Sequence, residues 1–154
     1  MEYKEALREQ MEQYYQITGR YRDATLLAMK DARRPGLFKK KDYGPHLERF
    51  KSLIEELRQL DYKSIVIPEE DEEGRAFAEL MDRSVISFML LCEENIRFYE
   101  MTEKKQYKGS GVTVKGYAEA TQQLQQILAR AVNETGYLEQ AYKEYFSGNL
   151  TDEE

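Results

Sequence analysis

Apolar residues recur at every third or fourth position through most of the chain, and glycine and proline cut that pattern into four helical segments. The first, near 2–33, aligns Tyr3, Leu7, Met11, Tyr14, Tyr21 and Leu27 or Ala28 on one face. It closes at Arg34-Pro35-Gly36, because proline disfavours helix in the residue before it. Gly19 interrupts this segment at a cost of about 1 kcal/mol relative to alanine, which leaves room for a bend or break there. The second, near 46–62, follows Pro45, a favourable first-turn residue, and carries Leu47, Phe50, Ile54, Leu57 and Leu60 or Asp61. The third, near 72–104, begins in the acidic run Glu69-Glu70-Asp71-Glu72-Glu73 and ends at Lys104-Lys105, charges that suit the helix dipole at both ends. Its stripe is wide: Phe77, Leu80, Met81, Val85, Phe88, Leu91, Cys92 and Phe98.

The fourth segment, near 115–146 and closed by Ser147-Gly148, has the most regular pattern. Tyr117, Thr121, Leu124, Leu128, Ala131, Thr135, Leu138, Tyr142 and Tyr145 alternate steps of four and three, the seam of a coiled-coil-like contact. Leu124, Leu128 and Leu138 are expected in the core. Tyrosine suits a margin, with an apolar ring and a polar tip, so Tyr142 and Tyr145 are expected at an interface with a second copy or a partner.

Together the segments predict an all-α fold in one domain spanning 1–154: a four-helix up-and-down bundle with a short second helix followed by an extended strap. At 1.5 Å per residue the first helix spans about 45 Å and the second about 25 Å. Residues 63–71 are therefore expected to run extended along the bundle, with Ile65 and Ile67 plugging the groove left over. The β-branched stretches 64–68 and 111–115 fall at opposite ends of such a bundle and are not expected to pair. The acidic tail, 149–154, is expected to be flexible.

Composition narrows the function classes. The net charge of −6 disfavours nucleic-acid binding, since phosphate backbones repel an acidic chain. The single cysteine, Cys92, has no internal disulfide partner, which favours a reducing compartment. The opening MEYKEALREQ lacks a signal peptide's apolar stretch, and the apolar run 85–92 is too short to span a bilayer, so a cytoplasmic protein without membrane insertion is expected.

Chemistry finds little footing. A di-iron bundle needs two Glu-x-x-His pairs, and the chain has one histidine, His46, expected to be solvated on the first turn of the second helix. Cys92, flanked by apolar residues and two glutamates, is expected to be a buried, inert thiol. Gly109, Gly111 and Gly116 match neither phosphate-loop nor dinucleotide spacing and are expected to form a turn after a helix end. Asn95 lies in the third seam and Gln10 near the first, where a buried amide would fix register. No catalytic residue, metal or cofactor is expected.

The strongest surface feature is the basic cluster Lys30, Arg33, Arg34, Lys39, Lys40 and Lys41, a candidate contact for an anion or a partner, or simply a capped helix end. The expected function is a non-enzymatic protein–protein interaction module, adaptor or chaperone-like, whose partner is another protein or a second copy. The alternative is a small-molecule or phosphate sensor that uses 30–41.

Overall fold

The same 3–4 spacing builds four helices in a computed structural model. The model describes the backbone of residues 2–33 and 40–151 and the side chains of 2–33 and 40–147. They are α1 (Tyr3–Arg33), α2 (Gly44–Arg58), α3 (Glu72–Lys104) and α4 (Val114–Thr151), and no strand occurs among the described residues. The helices run up, down, up and down. Tyr3 at the start of α1 and Tyr145 late in α4 both reach Asp71, which precedes α3. At the other end, Gln106 after α3 donates to the Lys41 carbonyl and accepts from the Lys41 N–H, ahead of α2.

Helix α3 is the hub, buried along its length from Phe77 to Thr102. It packs against α1, α2 and α4, whereas among the described residues no Cα of α1 lies within 8 Å of a Cα of α4. Asp71 caps α3 by accepting from the Gly74 N–H at 3.0 Å. Ser84 Oγ donates to the Glu134 carbonyl at 3.0 Å, so a small side chain brings α3 and α4 together. Stacked rings of Tyr43, Tyr99 and Phe50 fill one end of the core. Phe77, with Tyr142, Tyr145 and Phe146 around it, fills the other.

Several expectations shift. Helix α1 runs unbroken through Gly19, and α4 continues past Ser147-Gly148 to Thr151. A glycine permits a stop without requiring one, and the positive φ that marks a glycine turn occurs instead at Gly109 and Gly111, between α3 and α4. Helix α2 ends at Arg58, earlier than expected, and the strap opens with a 3-10 turn at Tyr62–Ser64. Tyr62 is buried there and donates to Asp82 at 2.6 Å. Gln10 accepts from the Asp61 N–H, and Ile65 and Ile67 pack on the core as expected. His46 is buried rather than solvated. Arg49 donates to its Nδ1 at 3.0 Å, which leaves the proton on Nε2, 2.6 Å from Asp31. The helix stop at 34–36 and the tail 152–154 lie outside the described residues.

Candidate functional site

Helix α4 has one helical neighbour, α3, so the side of its seam turned toward α1 stays open. Ala131 and Leu138 are fully buried, but Leu128, expected in the core, is 39% exposed. Side chains alone bridge α1 and α4. Tyr14 Oη lies 2.7 Å from Thr135 Oγ1, and Asp71 Oδ2 accepts from Tyr3 at 2.7 Å and from Tyr145 at 2.5 Å. Tyr145, expected at an interface, is thereby buried in the chain's own core, and Tyr142 is half-buried beside it against Phe77. An aromatic ring with a satisfied hydroxyl is better placed inside than at a margin.

A groove follows the line where α1 and α4 fail to meet. Near the Tyr14–Thr135 bridge lies a cleft of about 630 Å³ between Tyr15, Gly19 and Arg22 of α1 and Val132, Gly136 and Glu139 of α4. It shares Tyr21, Thr25 and Leu128 with a second cleft of about 400 Å³, which runs on past Met29 to Arg33. Helix α3 supplies the floor with Phe88, Asn95, Phe98 and Tyr99. From Tyr15 to Arg33 the α1 wall measures about 27 Å, the length of a five-turn helix.

Polar groups on the floor are paired within the chain. Asn95 Nδ2 donates to Tyr21 Oη at 3.0 Å and to the Leu91 carbonyl at 2.9 Å. Burial raises the pKa of Tyr14 and Tyr21 well above the ordinary phenol value, against the opposing effect of their bonds to Thr135 and Asn95. Tyr15, on the rim, is pushed up to about 12 by burial and by the nearby Glu139 carboxylate. Apart from Arg22, Arg33 and Glu139, the walls are apolar or neutral. Residues 120–129 of α4 hold no charge in a chain that is 34% charged, and interface centres are depleted of charge in the same way. Leu26, Met29, Leu128 and Val132 are exposed on or beside the walls.

Two mid-helix glycines line the groove here, one on each wall. Gly19 and Gly136 both line the larger cleft, and a Cβ on either would meet nothing within 4 Å. Each weakens its helix by about 1 kcal/mol relative to alanine, and the chain's own packing gives no reason for either. Gly74 differs, because a Cβ there would lie 2.6 Å from Asp71 and 2.7 Å from the Tyr145 hydroxyl.

The basic cluster is divided by the fold. Arg33 lines the groove and Lys30 is exposed on α1. Lys40 Nζ donates to the Gln106 carbonyl and Lys41 Nζ to the Asp31 carbonyl, both at 2.5 Å. Arg34 and Lys39 lie outside the described residues. Lys104 and Lys105 join this end from α3, a convergence that sequence order hides. Glu69, Glu70, Glu72 and Glu73 gather at the opposite end, so the bundle is basic at one end and acidic at the other.

Cys92 is buried, and burial with the neighbouring Glu93 pushes its thiol up to about 12. Among the described residues no group of three His, Cys, Asp or Glu is placed to hold a metal, and no helix is long and apolar enough to cross a membrane. No family model, curated protein or solved structure matches the chain.

Proposed function

We propose that the protein is a non-enzymatic, cytoplasmic interaction module, adaptor or chaperone-like, that docks helical protein surface in the α1/α4 groove. The pair Gly19 and Gly136 carries this reading. Both cost helix stability, neither is needed by the chain's own packing, and both open the same cleft. Exposed Met29, Leu128 and Val132 supply apolar contact, and the length of the walls suits a helix better than a small molecule. The alternative, a phosphate sensor at 30–41, has less support, because the Lys40 and Lys41 ammonium groups are taken up by main-chain carbonyls.

A photo-crosslinking residue tests the reading by position. Placed at Val132 in the producing cell, it should give one discrete adduct; placed at Arg130, on the opposite side of α4, it should give none. Equal labelling at both positions, or none at Val132, refutes the groove as a docking surface.

A further inference from the structure

The two halves of the groove complement each other. Toward the acidic end the walls carry the open positions Gly19 and Gly136 and the Glu139 carboxylate. Toward the basic end they carry Met29 and the Arg33 guanidinium, with Leu26 protruding alongside. One outward seam of α1, Tyr15, Gly19, Arg22, Leu26, Met29 and Arg33, steps by four and three. It is symmetric about the level of Ala24: Tyr15 corresponds to Arg33, Gly19 to Met29, and Arg22 to Leu26. Met29 is thereby matched to a missing side chain, and a guanidinium to an aromatic ring.

Residues 24–29, Ala-Thr-Leu-Leu-Ala-Met, are apolar or uncharged around the whole circumference, the composition of a helix covered on every side. Yet Leu26 is 60% exposed, and Leu27, on the side toward α2, is 46% exposed. One peptide helix in the groove would leave Leu27 bare, whereas a folded surface laid across α1 covers both sides.

We infer that a second copy of this chain covers the groove, in an antiparallel two-fold dimer with α1 of each copy laid against α1 of the other and the two grooves face to face. The inference rests on the docking reading above. An axis at the level of Ala24 sets each Met29 over Gly19 of the partner subunit and each Arg33 beside Tyr15 of the partner subunit. The same placement brings each Arg33 toward the carboxylate that neighbours Tyr15, Glu139 of the partner subunit. The interface is self-complementary, so the assembly closes at two copies.

Sedimentation equilibrium on the full chain tests this. The wild type should have twice the 18.2 kDa chain mass. Gly19→Leu, whose Cβ meets nothing within 4 Å, should reduce that to a single-chain mass with the helical dichroism unchanged. Adding Met29→Ala restores a small residue opposite the large one and should restore the dimer. Oxidation of an Arg22→Cys/Leu26→Cys variant should link two chains in the antiparallel register. A single-chain mass for the wild type at the highest attainable concentration overturns the inference, as does a dimer indifferent to Gly19→Leu. The Val132 adduct separates the two claims: a mass other than two chains removes the second copy and keeps the docking groove, and no adduct removes both.

Discussion

Replacing Gly19 and Gly136 by alanine should strengthen the fold and weaken what the fold is for. Both lie inside long helices, in α1 (Tyr3–Arg33) and α4 (Val114–Thr151), where alanine is favoured over glycine by about 0.8–1.0 kcal/mol per site. No atom lies within 4 Å of either added methyl, so no steric term opposes the gain. The double variant should gain about 1.6–2 kcal/mol, which for a chain of this size raises Tm by about 3–8 °C. Thermal unfolding followed by far-ultraviolet dichroism, in dilute solution where association contributes least, measures it. The same protein should dimerise more weakly than wild type. Gly74→Ala is the contrast: its methyl would displace Asp71 and the Tyr145 hydroxyl, leaving part-buried polar groups unsatisfied at a cost of about 1–3 kcal/mol. A fall in Tm for the double alanine variant would refute the reasoning, because it would mean that the chain itself uses the space.

Leu138→Ala should destabilise the fold by about 2–5 kcal/mol and Leu128→Ala by well under half of that, since the first is fully buried and the second 39% exposed; urea unfolding of the two variants checks the order. Tyr14, Tyr21, Tyr62 and Tyr145 have pKa values raised by burial, and for Tyr62 and Tyr145 also by a carboxylate, so their contribution to stability is fully present below pH about 10 and is lost as pH rises toward the folded values. Tyrosinate absorbance should therefore appear in a late step that coincides with loss of helix. Asp71 shifts the other way: burial alone would raise its pKa, but bonds from Tyr145, Tyr3 and Gly74 hold it below the ordinary value. Its contribution is present above pH about 4 and fades as pH falls, and Asp71→Asn should flatten that acid limb of the stability profile.

The fold was legible where local signals agreed. Helix α3 starts and stops where its acidic first turn and terminal lysines say it should, and Ile65 and Ile67 lie where helix lengths require a strap. The limits of α4 were less legible because nothing after Phe146 forbids helix, so Ser147-Gly148 is carried along. Periodicity reports which face of a helix is apolar but not which neighbour covers it. The seam of α4 was therefore readable and the exposure of Leu128 was not, since that depends on how far away α1 lies. His46 was misplaced for the same reason, its partner Asp31 being 15 residues away on another helix. The groove had one signal within reach: two mid-helix glycines with no local purpose. They become a pair only once Gly19 and Gly136 line one cleft.

Oxidative footprinting with residue-level mass spectrometry addresses the central claim directly, because side chains covered by a docked protein lose reactivity where they stand. Comparing dilute with concentrated protein, the account predicts protection of Leu26, Met29, Leu128 and Val132, with Val66, which lines neither cleft and is more than four-fifths exposed, unchanged. Protection confined to Val66, or Met29 and Val132 as reactive in every assembled state as in the single chain, would contradict it.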